Sequence, residues 1–290
     1  MEDIRYTDSQ DQGAPQYRRE DGTMAQGADT SSRGYGFDVS AAVLKWVAIV
    51  TMFIDHTAAS ILEWSLESEN YLFDSTALAI TDGIMRCIGR TAFPLFIFMM
   101  AEGLYYTRSR KNYLIRLIAF CFISEVPFDL AFGYYRTGSI DLSTNLFVSE
   151  YQNVYFTLAL GLAAIWIMNA LYENMSSVVW EIILDLVVLA AFGYAAYLMK
   201  TDYDAGGVMA IAGAHITRRF RLKPVLSGVV IIVILCLTSG IIEAAAAFIA
   251  LPLLGFYHGN RGYRFNKWIF YVFYPAHLFL LALIRTVIFA

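Results

Sequence analysis

Long apolar stretches, separated by short polar loops, run through the chain from residue 41 to its end. Most hold about 15–25 residues with few charges, the length a helix needs to cross a membrane, and they lack the alternation of outer-membrane barrel strands. The pattern therefore predicts an all-α, polytopic helical bundle in a membrane. About nine transmembrane helices are expected, at residues 41–62, 78–106, 113–134, 153–171, 178–199, 205–217, 224–239, 241–256 and 268–288.

Composition agrees with this interpretation. Hydrophobic residues make up 58% of the chain, the mean hydropathy is +0.53 and charged residues reach only 16%, whereas a soluble domain carries about 25% charged residues. Residues 1–36 are polar and have no apolar period, so a disordered cytoplasmic tail is expected there, without the apolar core of a signal peptide. Residues 37–290 form the predicted membrane domain.

The loops indicate how the domain is oriented. Basic clusters follow the second, sixth and eighth predicted spans, at residues 107–111, 218–223 and 258–267, and the N-terminal tail carries further arginines. These loops and the tail lie on one side of a nine-span bundle. Since basic loops stay in the cytoplasm, the N-terminus is predicted inside and the C-terminus outside.

Ionisable residues interrupt several of the apolar stretches. His56 follows Lys45 by 11 residues, which places it about 16 Å deeper along a helix, near the middle of the membrane. Arg90 is expected at a similar depth, and lipid would not accept either group unless it faced another polar group or a watery cavity. The polar residues aimed at this zone are Asp55, His56, Arg90, Glu125, Asp129, Asn153, Asp204 and His277. A function is expected there, although single Arg–Asp pairs also serve as structural struts.

Seven sequence blocks carry these residues or lie beside them. The first is LKWVAIVTMFIDH at 44–56, followed by IGRTAFPLFIFMMAEG at 88–103 and YLIRLIAFCFISEVPFD at 113–129. Shorter blocks are NVYFTLALG at 153–161, YDAGGV at 203–208, YHGNRG at 257–262 and FYVFYPAH at 270–277. In this order the blocks resemble the TraX family, the F-pilin acetylation proteins, and the resemblance covers residues 41–288.

This resemblance implies transfer of an acetyl or other short acyl group from cytoplasmic acetyl-CoA to an amine, as on the N-terminus of a pilin. The first blocks are also similar to wider membrane acyltransferase families that modify sugars or lipids, so a glycan or lipid hydroxyl is the alternative acceptor. A proton-coupled transporter or a scaffold remains a further alternative. The expected partners are acyl-CoA, a peptide, protein, glycan or lipid acceptor, and the bilayer of a bacterial cytoplasmic membrane. No metal and no nucleic acid are expected.

Acyl transfer needs a base, a stabiliser for the oxyanion and a donor site. His56 is the candidate base. Asp55 points about 100° away on the same helix, so it is expected to pair with Arg90 or Arg86 while Glu125 or Asp129 orients His56. The candidates for the oxyanion or the acceptor are Arg90, Asn153, Tyr203, Asp204, Glu102 and His277. The candidates for the CoA phosphates are Arg108, Arg110, Lys111, Arg116 and Arg261.

Overall fold

A computed structural model describes residues 16–18, 24–26, 38–132, 151–240, 246–263 and 266–289. The chain divides into two compact units, Met1–Asp38 and Val39–Ala290. In the first unit, strands β1 (Gln16–Arg18) and β2 (Met24–Gln26) pair antiparallel. The predicted disorder of residues 1–36 otherwise falls outside the described residues, so it stays a prediction.

In the second unit, every described element is a helix, so the all-α class is confirmed for this part of the chain. The α-helices are α1 (Ala41–Thr57), α2 (Glu63–Glu67), α3 (Ser75–Gly89), α4 (Ala92–Tyr106), α5 (Arg110–Phe132), α6 (Val154–Asn174), α7 (Val178–Leu198), α8 (Asp204–Arg219), α9 (Pro224–Ser239), α10 (Ala250–Gly255) and α11 (Lys267–Ile288). A π-helical segment, Ala58–Leu62, joins α1 to α2, and a 3₁₀ turn, Ala246–Ile249, precedes α10.

In the part of the chain that the structure describes, five helices are long and apolar enough to cross a membrane: Ala41–Glu67, Ser75–Tyr106, Val154–Asn174, Val178–Leu198 and Lys267–Ile288. The first joins α1 to α2 through the π segment, and the second joins α3 to α4. Many apolar side chains on α7 face outward, among them Leu186 at 61% and Tyr197 at 63% exposure. Such a face suits lipid rather than water, so the chain is a membrane protein.

The count of nine spans and the N-inside orientation remain predictions. Helix α5 has 23 residues but carries many charges, and α8 and α9 have 16 residues each. The eighth predicted span, 241–256, corresponds to the 3₁₀ turn and the six-residue α10. Residues 241–245 lie outside the described part of the chain.

Polar side chains set the starts of the helices that surround the site. Helices α1, α3, α6 and α11 each begin after a residue whose side chain accepts a hydrogen bond from a backbone N–H of the first turn. These N-cap bonds satisfy donors that the helix itself leaves open. The four capping residues are Ser40, Asp74, Asn153 and Asn266.

Glycines let α8 pack closely against its neighbours. A Cβ atom at Gly206 would overlap Thr238 of α9, and one at Gly207 would overlap Thr157 of α6. Small residues of this kind allow close approach of helix backbones in membranes. The close packing holds the residues just before α8 against α6.

Candidate functional site

A cavity of about 480 Å³ lies inside the second unit. Its walls come from α1, α3, α4, α5, α6, α11 and the segment before α8. Its polar and charged lining residues include Lys45, Asp55, His56, Thr107, Arg116, Asp202 and Lys267. The aromatic lining residues are Phe93, Phe96, Tyr106, Tyr113, Tyr155, Tyr203, Phe270, Tyr271 and Tyr274.

The cavity has a basic region at one end. Lys45 lies over the Phe270 ring, with 5.3 Å from Nζ to the ring centroid, and Arg116 Nε donates to Tyr271 Oη at 3.4 Å. Lys267 starts the helix that carries both rings. His56 lies about 16 Å from Lys45 along α1, so one cavity joins the basic group to the predicted base.

A second histidine contacts His56 at the other end of the cavity. His56 Nδ1 lies 2.7 Å from Nε2 of His277, with an angle of 2° between the two ring planes. His277 Nδ1 lies 2.7 Å from the carbonyl oxygen of Phe273. The prediction that Glu125 or Asp129 orients His56 is therefore corrected, because His277 occupies the place at Nδ1.

Asp55 turns away from His56, as the helical geometry requires. Arg86 Nη1 donates to Asp55 Oδ2 at 2.8 Å, so Asp55 pairs with one of its two expected partners. This approach depends on Gly89, because a Cβ there would overlap the Asp55 side chain. Arg90 follows at the break between α3 and α4, within electrostatic range of the Tyr203 phenol.

Tyr203 reaches the cavity on an unusual backbone. It has φ of 69°, and Lys200 and Asp204 are also left-handed, which is uncommon for residues other than glycine and often marks a functional site. The Tyr203 ring stacks on Phe93 with centroids 3.5 Å apart. Burial raises the pKa of Tyr203 above its usual range, so the phenol keeps its proton and can donate a hydrogen bond into the cavity.

Residues next to Tyr203 divide between the cavity and the surface. Asp202 lines the cavity, and its backbone N–H donates to the Gln152 carbonyl at 2.8 Å. Asp204, which was predicted for the site, is exposed in the first turn of α8 and does not line the cavity.

Three further predicted residues pack elsewhere. Asn153 Nδ2 donates to Glu125 Oε2 and, at 2.7 Å, to the Cys121 carbonyl. Asn153 Oδ1 accepts from the Tyr155 backbone N–H at 3.0 Å and so caps α6. Glu125, Asn153 and the fully buried Asp129 do not line the cavity. The contact between Glu125 and Asn153 joins α5 to the start of α6.

Glu102 belongs to a charged group outside the cavity. It pairs with Arg218, whose neighbour Arg219 lies 2.6 Å from Glu181. His215 is fully buried nearby, with Nδ1 3.3 Å from Tyr105 Oη. These contacts tie α4, α7 and α8 together, away from His56.

The predicted phosphate-binding residues are only partly brought together. Arg116 lines the cavity, and Arg261 lies over the ring of the lining residue Tyr106, 4.5 Å from its centroid. Arg110 instead lies 3.5 Å from Glu173, while Arg108 and Lys111 are exposed and do not line the cavity. Sequence reasoning missed Lys45 and Lys267 as cavity cations. Their positions at the start of predicted spans next to aromatic residues were the available signal.

No group of three or more His, Cys, Asp or Glu side chains able to hold a metal occurs among the described residues.

Comparison with known proteins assigns the family. A family model described as TraX protein matches residues 40–285. The chain belongs to the TraX family. Every cavity-lining residue and His277 fall inside the part of the chain that matches TraX.

A curated relative of this TraX chain is the "Probable fimbrial assembly protein FimC, serogroup H1" of Dichelobacter nodosus. The two are 29% identical over 258 residues, which cover 84% of this chain and 95% of the relative. No solved structure matches the chain.

Proposed function

We propose that this TraX-family protein is a membrane-embedded acyltransferase that moves an acetyl or other short acyl group from acyl-CoA to an amine of a peptide or protein. The observation that carries the proposal is the single cavity that joins three cations to His56. Cations that could hold an anionic donor and a histidine that could act as a base both line this cavity.

The cavity suits the parts of an acyl-CoA donor in order. Lys45, Arg116 and Lys267 would hold the phosphates at the basic end, because ammonium and guanidinium groups bind phosphate oxygens strongly. The aromatic and methionine-lined middle would take the pantetheine arm. The distance of about 16 Å along α1 would then bring the thioester near His56.

The residues near His56 supply the steps of acyl transfer. The amine nitrogen attacks the thioester carbonyl carbon while His56 takes a proton from that nitrogen. The Tyr203 phenol, which lines the cavity, would donate to the oxyanion of the tetrahedral intermediate. The carbon–sulfur bond then breaks and CoA leaves as the thiolate, which takes up the proton.

The comparisons support a role in pilus biology. The family is that of the TraX protein, and the relative from Dichelobacter nodosus carries the name of a fimbrial assembly protein. A pilin N-terminus is therefore the proposed acceptor, and a bacterial cytoplasmic membrane with the basic end of the cavity inside is the proposed setting. An O-acyltransferase for a glycan or lipid hydroxyl is the alternative.

The proposal is tested with purified protein in lipid nanodiscs, isotope-labelled acetyl-CoA and three acceptors: a pilin N-terminal peptide, a glycan and a lipid. We expect label on the peptide amine, and a loss of about 10²-fold or more in His56→Ala, as for removal of a general base. His258→Ala is the control, since His258 is exposed and does not line the cavity.

Label on a glycan or lipid hydroxyl would select the alternative acceptor. Two results would contradict the proposal: failure of the wild-type protein to bind acetyl-CoA in calorimetry, or full activity of a folded His56→Ala protein.

A further inference from the structure

The two histidines at the end of the cavity are 221 positions apart in the chain and form one hydrogen-bonded pair. We infer that His277 positions His56 as a proton acceptor by keeping the Nδ1 proton of His56 in place, which leaves Nε2 of His56 to take the proton of the acceptor. The role of His56 as proton acceptor rests on the proposed function, whereas its tautomer follows from the geometry.

The contact of His277 with the Phe273 carbonyl determines where the protons lie on both histidines. The Phe273 carbonyl oxygen can only accept a hydrogen bond, so His277 Nδ1, at 2.7 Å, must carry a proton. A neutral His277 then has its lone pair on Nε2. The Phe273 carbonyl therefore fixes which nitrogen of His277 is the acceptor.

The same reasoning gives the position of the proton on His56. Its Nδ1 lies 2.7 Å from the lone pair of His277 Nε2, so it must donate. The ring planes differ by only 2°, which lets both nitrogens point at each other within the planes of the rings. Neutral His56 consequently carries its proton on Nδ1 and its basic lone pair on Nε2.

This arrangement matters because an unconstrained neutral imidazole in water favours the opposite tautomer, with the proton on Nε2. A hydrogen-bond partner at the other nitrogen decides which tautomer a histidine adopts. When His56 takes a second proton, it still donates from Nδ1 to neutral His277, so the pair needs no rearrangement during the reaction.

Only one of the two rings can be charged at a time. Two imidazolium rings would direct N–H groups at each other across 2.7 Å, and Arg86 and Arg90 of the α3 end lie within electrostatic range of His56. The other groups around His56 are Asp55 on α1, Phe132 on α5 and Tyr274 on α11. His277 is therefore an acceptor that stays neutral while His56 carries the proton.

Two substitutions separate this role from packing. His277→Phe keeps a ring of similar size but removes the acceptor, and we expect kcat to fall by about 10²-fold or more with an unchanged KM for acetyl-CoA. His277→Gln places an amide oxygen near the position of Nε2, and we expect it to restore kcat to within about tenfold of wild type, the effect of one altered hydrogen bond. His215→Phe is the control for the loss of a buried histidine outside the cavity.

Side-chain ¹⁵N NMR of histidine-labelled protein in nanodiscs reads the tautomer without any substrate. The chain has four histidines, and each signal is assigned from a single substitution. We expect His56 to be protonated on Nδ1 in the wild-type and His277→Gln proteins, and mainly on Nε2 in His277→Phe.

The two proposals fail in different ways. An inactive wild-type protein whose His56 is protonated on Nδ1 would contradict acyl transfer but support positioning by His277. An active wild-type protein whose His56 is protonated on Nε2 would overturn positioning alone. Equal loss of kcat in the Phe and Gln variants, with equally lowered thermal stability, would also overturn it, since packing alone explains that result.

Discussion

Asp55 and His56 are neighbours in the chain, yet their side chains enter different interactions. Asp55 pairs with Arg86, and His56 pairs with His277. Helical geometry predicts this separation, because adjacent side chains point about 100° apart. The identity of the His56 partner could not be predicted in the same way, since the period of one helix does not give its register against a helix 221 positions away.

Two of the carboxylates predicted for the site do not line the cavity. Glu125 and Asp129 share a face of α5, which sequence spacing predicts, but that face does not line the cavity. Asn153 caps α6 through its side-chain oxygen and donates from its amide nitrogen to Glu125. A polar residue at a helix start and a carboxylate inside a membrane helix thus satisfy each other.

The cations of the cavity lead to a prediction for donor binding. Substituting Lys45, Arg116 or Lys267 by Ala should raise the KM for acetyl-CoA about tenfold or more and leave kcat nearly unchanged, since a hydrogen bond to a charged group contributes about 1.5–3 kcal/mol. Steady-state kinetics with an amine acceptor measures both constants. Lys111→Ala is the control, because Lys111 is exposed and does not line the cavity. An unchanged KM in all three variants would contradict a donor site at this end.

At the scale of elements, the long apolar stretches predicted most of the described helices but not their irregularities. The predicted second span is continuous in hydropathy, yet α3 ends at Gly89 and α4 begins at Ala92. The π-helical turn at Ala58–Leu62 starts two residues after His56, and such turns occur often at functional sites. Neither feature could be predicted from the apolar pattern, because a helix break or a π-helical turn does not require a change in the pattern of apolar residues.

Helix α11 contains a proline whose effect is balanced from another helix. Pro275 has no N–H to donate to the Tyr271 carbonyl. Tyr155 Oη donates to that carbonyl at 3.2 Å and to the Phe270 carbonyl at 3.2 Å. Tyr155 thereby supports α11 between the basic end of the cavity and His277.

The packing of α3 on α1 gives a prediction at this scale. Gly89→Ala should lower kcat/KM by about 10²-fold, because the new Cβ meets the Asp55 side chain and must shift the helix that carries His56. The matched control is Gly83→Ala on the same helix, where a Cβ meets no atom within 4 Å. Equal activity of the two variants, measured with acetyl-CoA and an amine acceptor, would show that this approach does not govern the site.

At the scale of the whole molecule, the cavity separates two kinds of chemistry. Three cations gather at one end, and Asp55, Tyr203 and His56 with its partner His277 lie toward the other. Composition and loop charge predicted a membrane bundle with one basic side. They could not predict the cavity, because its walls combine residues of seven chain segments whose mutual packing depends on small contacts such as those of Gly207.

The orientation of the bundle is open to direct measurement. In a protein whose three cysteines are replaced, a cysteine at Lys111 should react with an impermeant maleimide only in inside-out vesicles. A cysteine at Glu69, which is exposed near the other end of the first membrane-length helix, should react only in right-side-out vesicles. This outcome follows from basic loops staying in the cytoplasm. Reaction of both cysteines from the same side would contradict the predicted topology.

The aromatic lining of the cavity would limit the hydrolysis of a bound acyl-CoA thioester. A thioester held near His56 among rings such as Phe93 and Tyr274 would be screened from bulk water. Wasteful hydrolysis would then be slow while no amine is present, and donor consumption would follow the supply of acceptor. Under the proposed function, a bacterium that stops making the acceptor would keep its acyl-CoA pool without any separate inhibition of acyl transfer.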